Sequence, residues 1–414
     1  MGGIVLCFAS DEAATWVKRL KKAGREADTC VFGIGAPWRF NFLNHESSIE
    51  SGGLDHIDNL VNLLMDIVAV RRTAPLGNEA SFWLPQKRLL CRSCLSLLLM
   101  AGEPLTLKGM NDLIQSAPNT VEEGKNADWQ SRSHLFAMLE RAEARSGRHS
   151  EWEPVMNFWL YTRAKLPDKT RATIDAEFLG MVDGPLSRGK LADLFGTTTN
   201  IDPSACFDGK VIIVNVPVEE YREAGQYAAL IWATAFMRAT MRRAYKAPAD
   251  RPLFLFADES QAYSIEQDVD YHATCRKKGV CCVRLTQNIP GFVKSYGGGA
   301  AAQITVDAIL GNLVTKLFLK NSDPTTNAWA SKLIAKEMTY KHSLSNSGSL
   351  QSNSGFNSSS SVSEVEEASC GEKEFLSLKN GGAQNKHIVE AVLFESGRLW
   401  ARDQRWIVRK FKQS

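Results

Sequence analysis

Residues 253 to 260 read Leu-Phe-Leu-Phe-Ala-Asp-Glu-Ser, an unbroken apolar run that stops at two adjacent carboxylates. A continuous apolar segment of this length fits a strand buried on both faces, the kind found inside parallel sheets. Such a strand delivers Asp258 and Glu259 together to its C-terminal edge, where open α/β sheets bind their ligands. Asp258 is then placed to hold Mg2+ through water, and Glu259 to polarise an attacking water.

The rest of the chain supplies a setting for that strand. Gly3 to Phe8 reads as a buried strand, Asp11 to Ala23 as a helix opened by Ser10-Asp11, and Thr29 to Ile34 as a second strand. Leu54 to Val70 follows as an amphipathic helix. From about Arg72 to Arg171 the spacing is helical almost throughout, with helices expected over 85–100, 106–115, 131–145 and 151–164. Alternation then resumes with strand 210–216, helix 221–245, the strand 253–257, helix 265–277, strand 281–285 and strand 313–319. Short strands joined by crossover helices predict an α/β fold with a mostly parallel, doubly wound sheet and an inserted all-α domain. Residues 343–370 are rich in Ser, Asn and Gly and end in an acidic patch, which predicts a flexible segment. Beyond it, 388–394 and 405–408 alternate like a hairpin returning to the core. The expected division is 1–71 core, 72–171 all-α insertion, 172–342 core, 343–370 flexible segment and 371–414 returning strands.

Composition narrows the class without naming a partner. At 414 residues and 44% hydrophobic content the chain can bury a large core. A net charge of +3 is too small to announce a nucleic-acid partner. Lys and Arg do gather at Arg238, Arg242, Arg243 and Lys246, and DNA phosphates and a solvated helix face are both open readings of that group. No apolar run is long enough to span a membrane and no signal peptide is visible, so the expected location is cytoplasmic. The nine cysteines are scattered, as reduced thiols usually are, and Cys91 and Cys94 form a C-x-x-C inside a helical run with no second pair. No metal site besides Mg2+ at Asp258 is expected.

The carboxylate pair reads as a Walker B element, which calls for a phosphate-binding Walker A loop. Gly184-Pro-Leu-Ser-Arg-Gly189-Lys190 satisfies G-x-x-x-x-G-K, but Leu191 stands where a Ser or Thr must reach Mg2+. Pro185 also removes one of the N–H groups such a loop needs. The string reads as a turn into the helix 191–195, and no other candidate exists. Downstream, Thr286-Gln287 closes the strand next in sequence, where Gln287 is placed to sense a nucleotide. Arg276 ends the helix 265–277, where it could serve a neighbouring subunit as an arginine finger or simply favour the helix dipole.

Taken together, these elements resemble the conjugative DNA-transfer coupling ATPases of type IV secretion, the TraG/TraD-like branch of the FtsK/HerA-type P-loop group. The resemblance spans nearly the whole chain: Gly2 to Glu12, Arg39 to Leu43, Asn59 to Met65, Gly209 to Tyr221, Asp258-Glu259, Arg276, Thr286-Gln287, Asn312 with Thr315-Lys316, the Ser-rich stretch near 343–363, and Trp406 to Gln413. It implies a RecA-like core, an all-α domain that meets the DNA-processing complex, and hexamers that thread DNA. It also implies ATP and Mg2+ as cofactors, with Asp258 for Mg2+, Glu259 as catalytic base, Gln287 as nucleotide sensor and Arg276 as the finger in trans. The implied partners are DNA or a relaxase–DNA complex and the secretion channel. The family's membrane anchor and Walker A loop are not found in this sequence, so an upstream polypeptide carrying them is expected. The alternative is a truncated, non-hydrolysing remnant that binds DNA or a partner.

Overall fold

The computed structural model describes residues 1–49, 57–69, 80–146, 150–182, 184, 187–196, 198–265, 267–347, 357–400 and 404–413. The chain folds as two compact units, one of residues 1–286 with 295–302, the other of 287–294 with 303–414. The first unit is built on five parallel strands: β1 (Gly2–Leu6), β2 (Thr29–Gly33), β3 (Val211–Asn215), β4 (Leu253–Ala257) and β5 (Val280–Arg284). Their order is β2-β3-β1-β4-β5. The run with which the sequence reading began is therefore an inner strand, with Leu6 in register beside Ala257 on one side and Arg284 beside it on the other.

Alternation along these strands builds two cores. Ile4, Leu6, Phe32, Ile212, Val214, Leu253 and Leu255 point to one face, where the helix Glu223–Arg242 buries Trp232 and Phe236. Val5, Cys7, Val211 and Ile213 point to the other, against Ala13, Trp16 and Leu20 of the helix Glu12–Lys22. Trp16 covers the half-buried ring of Phe256 edge-on, with centroids 4.9 Å apart. A parallel strand with both faces covered needs apolar residues at every position, which is why these segments read as solid runs. Gly3 is required by the same closeness: a Cβ there would lie 2.3 Å from the Phe254 carbonyl oxygen.

The helical region forms as expected, with helices Ala80–Ala101, Leu107–Gln115, His134–Ser146 and Trp152–Asn157, the last continuing into a π-turn over Phe158–Thr162. It does not separate from the sheet, however. Leu90, Cys91, Leu95, Leu135 and Trp159 belong to the same continuous core as the strands, so the sheet and the helical insertion form one unit. Cys91 and Cys94 are fully buried there, and burial pushes both thiols up, as structural cysteines rather than ligands require. The expected helix 54–70 is seen as Ile57–Ala69, its first three positions lying outside the described residues.

The second unit corrects two expectations. The strand expected at 313–319 is β6 (Thr315–Leu319), and it joins a separate antiparallel sheet rather than the parallel one. Residues 336–347 and 357–368, expected largely as a flexible segment, form β7 (Lys336–Ser347) and β8 (Asn357–Ala368), paired antiparallel over their full length. Polar composition hid the pairing: Lys336 faces Glu366 at 3.2 Å, the Ser343 and Ser361 hydroxyls meet at 2.6 Å, and Lys341 pairs with Glu367. The strands β9 (Ile388–Glu395) and β10 (Trp406–Lys412) complete the antiparallel sheet in the order β10-β9-β6. Val392, Phe394, Phe375, Ala330 and Ile334 make this unit's own core. β6 alternates Thr-Lys-Leu-Phe-Leu instead of running apolar, and a strand covered on one face needs no more than that.

Candidate functional site

The C-terminal ends of β1, β4 and β5 lie side by side. Beyond β4 the backbone places Glu259 in the left-handed region at φ 46 and ψ 51, uncommon for a residue with a Cβ. The Glu259 N–H donates to Asp258 Oδ1 at 2.8 Å. The Ser260 N–H donates to the Leu285 carbonyl at 2.7 Å, and the Leu285 N–H to the Ala257 carbonyl at 3.0 Å. The carboxylate pair is thus fixed to the end of β5 on both sides of the bend.

Beneath Ser260 lies a buried polar network. Arg284, the last residue of β5, sends Nη1 to Ser260 Oγ at 3.1 Å, Nε to His272 Nε2 at 3.2 Å, and Nη2 to Asp268. The side chain of Arg284 is 4% exposed and that of Asp268 is 0% exposed, so each charge depends on the other. Tyr296 adds its hydroxyl to Asp268 Oδ2 at 2.8 Å. Burial and the neighbouring Arg284 cation push His272 down to about 4, which keeps its ring neutral.

Two further groups join the carboxylates. Glu12, the first residue of its helix, accepts the N–H groups of Phe8 at 3.0 Å and Ala9 at 3.2 Å. Burial raises its carboxyl to about 7, the Phe8 and Ala9 N–H groups work the other way, and the negative Asp258 adds to the rise. Tyr263 is 1% exposed, and its hydroxyl has no hydrogen-bond partner among the described residues. Burial, together with Glu12, Asp258 and Glu259, holds the Tyr263 proton in place. A buried donor without a partner is costly and calls for an explanation beyond packing. Neither Glu12 nor Tyr263 was singled out individually from the sequence. Glu12 stands only at the end of the Gly2 to Glu12 string, and nothing local marks Tyr263.

The expected sensor region divides at the unit boundary. Thr286 Oγ1 donates to Gln261 Oε1 at 2.9 Å, and Gln261 Nε2 donates to Glu259, so Thr286 reaches the carboxylate through one amide. Gln287 belongs to the second unit, where its carbonyl accepts from Asn321 Nδ2 at 3.0 Å. Arg276 is exposed in a 3-10 turn, Cys275–Lys278, that precedes β5. Because β4 and β5 are parallel, that turn lies at the opposite end of the strands from Asp258, about 16 Å away along a five-residue strand. The structure therefore does not bring Arg276 to Asp258 within one chain.

The basic group weighed as a DNA contact is engaged internally. Arg242 holds Glu46 with two bonds of 3.0 Å, and Arg238 lies 3.7 Å from the same carboxylate and donates to the Asn59 carbonyl at 2.9 Å. Glu46 is only 1% exposed and needs these cations. Arg243 donates to the Arg251 carbonyl and stacks on Phe207 and Tyr245. These side chains hold the helix Glu223–Arg242 and its exit in place. Around the G-x-x-x-x-G-K string, the Ser187 N–H closes a turn onto the Gly184 carbonyl at 3.0 Å, and Lys190 sits in the first turn of the helix Gly189–Phe195. Pro185 and Leu186 lie outside the described residues.

The residues present fit the acidic side of a Mg2+–nucleotide site. Among the described residues no group of three or more His, Cys, Asp or Glu could hold a metal alone. Mg2+ in nucleotide sites takes one or two carboxylates and completes its shell with water and phosphate oxygens, which is what Asp258 and Glu259 leave room for. A phosphate cradle is not found in the sequence. Among the described residues no helix is long and apolar enough to cross a membrane.

Residues 252–376 match the family described as the TraM recognition site of TraD and TraG, a stretch that contains the carboxylate pair, β5 and the β7–β8 hairpin. No curated protein sequence matches the chain. Among solved structures, it is similar to the bacterial conjugative coupling protein TrwBdeltaN70 in its unbound form, at TM-score 0.62 and 14% identity, covering 100% of this chain and 78% of that one. It is also similar to the plasmid coupling protein TrwB in complex with ADP and Mg2+, at TM-score 0.58 and 12% identity, covering 99% and 84%. A third match is TrwB with the non-hydrolysable GTP analogue GDPNP, at TM-score 0.58 and 13% identity, covering 99% and 85%. The α/β fold, RecA-like with a parallel sheet and abundant helices, is that of these coupling proteins.

Proposed function

We propose that this chain forms the hydrolytic edge of a coupling-protein-type ATPase, linking ATP hydrolysis to transport of DNA or nucleoprotein to a type IV secretion channel in conjugation. One observation carries the reading: in an all-parallel sheet of the coupling-protein fold, β4 hands two adjacent carboxylates to its C-terminal end, with Glu259 held left-handed. The TrwB structure with ADP and Mg2+ supports the choice of cofactors. The match over residues 252–376 supports a relaxosome or DNA-related partner.

In this reading bound ATP with Mg2+ supplies the phosphoanhydride and the positive charge that its cleavage requires. Asp258 holds the metal's water shell. Glu259 orients and deprotonates the attacking water, its carboxylate aimed by Gln261 and Thr286. Gln287 senses the nucleotide. Arg276, lying away from Asp258 in its own chain, serves the neighbouring subunit of a hexamer. The phosphate cradle comes from a Walker A segment other than these residues. β5 supports that view, because no described strand pairs with its outer edge and it adjoins β4.

A second reading, a non-hydrolysing binding module, is favoured by the missing G-x-x-x-x-G-K-[ST] string alone. Mg2+-dependent phosphate release by the protein isolated from its host decides between them. The ATPase reading expects turnover that Glu259→Gln lowers by about 100-fold or more with nucleotide still bound. Nucleotide neither bound nor hydrolysed would leave the binding module.

A further inference from the structure

Of the nine cysteines, two meet. Cys275 Sγ and Cys282 Sγ lie 3.8 Å apart. Cys275 opens the 3-10 turn Cys275–Lys278 and is buried, and Cys282 is the middle residue of β5 and half-buried. Gly279, left-handed at φ 70, reverses the chain between them, and a side chain there would strike the Tyr245 ring. The N–H groups of Cys275 and Arg276 and the Arg284 guanidinium favour the charged form of Cys275. A hydrogen bond from Cys282 is the main reason Cys275 is held below the usual thiol range, and the same bond pushes Cys282 up. Backbone N–H groups at a turn and a nearby guanidinium are the surroundings that make a thiolate. The contrast is with Cys7, Cys91, Cys94 and Cys206, which burial pushes up.

We propose that Cys275 and Cys282 are an oxidisable dithiol that a peroxide closes to a disulfide, fixing the turn that carries Arg276, Lys277 and Lys278 to β5. The Cys275 thiolate attacks one peroxide oxygen: an S–O bond forms, the O–O bond breaks, and hydroxide leaves and takes a proton to become water. The Cys282 sulfur then attacks the sulfenic sulfur: an S–S bond forms, the S–O bond breaks, and the oxygen leaves as water with the Cys282 proton. The two thiols lose two electrons and the peroxide gains them. Closure brings the sulfurs from 3.8 Å to about 2.05 Å. The inference is independent of the ATPase reading.

The test is to treat the reduced full-length chain with hydrogen peroxide and count free thiols in denaturant, with peptide mapping by mass spectrometry without reduction. The expected result is a fall from nine thiols to seven in a monomer, with a Cys275–Cys282 linked peptide that dithiothreitol reverses. Cys282→Ser should stop the reaction at a sulfenic acid on Cys275 that dimedone traps, and Cys275→Ser should abolish it. Nine thiols retained, oxidation confined to the exposed Cys281, or a disulfide between two chains would each overturn the proposal.

Discussion

The five-stranded sheet ends differently at its two sides. At one edge, β2 buries Cys30 and Phe32, with Phe32 packed edge-on against Trp232 at 4.9 Å and beside Phe195 at 5.3 Å. At the other, β5 is as apolar in sequence, yet Cys281 is exposed and Val283 and Leu285 are each 37% exposed. Helical side chains cover one face of the first edge strand. The second adjoins the strand that carries Asp258 and Glu259. Parallel sheets are normally covered on both faces, and an uncovered apolar edge strand is a template for another strand. One edge strand is therefore packed into the core, and the other leaves apolar side chains exposed.

The largest effect that could break this contrast lies in the packed edge. Phe32→Ala should cost about 3–5 kcal/mol of unfolding free energy, and Val283→Ala under about 0.5 kcal/mol, by urea denaturation. Equal losses would mean that β5 is packed as β2 is. Arg284→Met should cost about 3–5 kcal/mol, because it strands the buried Asp268 charge, and Arg284→Met with Asp268→Leu should recover much of it. No recovery in the double variant would show that the pair does not act as a unit.

His272 sharpens the comparison through pH. Its ring is neutral when folded, with its titration lowered to about 4, and in the unfolded chain it takes up a proton near its usual value of 6.5. Its contribution to stability is therefore complete above pH 6.5 and is lost as the pH falls towards 4. His272→Gln, which keeps an acceptor for Arg284, should flatten the acid limb of a melting-temperature profile. An unchanged limb would place the acid sensitivity elsewhere. The smallest effect belongs to Thr286→Val, which removes the hydroxyl held by Gln261 and should lower stability by about 0.5–1.5 kcal/mol or less. If Glu259 is aimed through that amide, the variant should lower turnover without altering nucleotide affinity.

What the sequence disclosed follows from what local residues can encode. Unbroken apolar runs marked β1, β3 and β4, because inner strands of a parallel sheet are apolar almost throughout. Asp258 and Glu259 were legible because they interrupt such a run. β7 and β8 were not, since Ser, Lys and Glu can pair across strands without leaving an apolar signature. Glu12, Tyr263 and Arg284 reach one sheet end from positions far apart in the chain, which no local spacing announces. Local spacing likewise did not show that Arg238 and Arg242 share Glu46, which lies almost two hundred residues upstream.

The central claim is that Asp258 and Glu259 form the hydrolytic edge of a conjugative coupling ATPase. Conjugative DNA transfer from cells carrying the gene with Glu259→Gln, at matched protein levels, tests it most directly. A fall in transfer frequency of about 100-fold or more is the predicted result. Transfer at the unaltered frequency would contradict the account and leave the carboxylate pair a structural feature of the sheet.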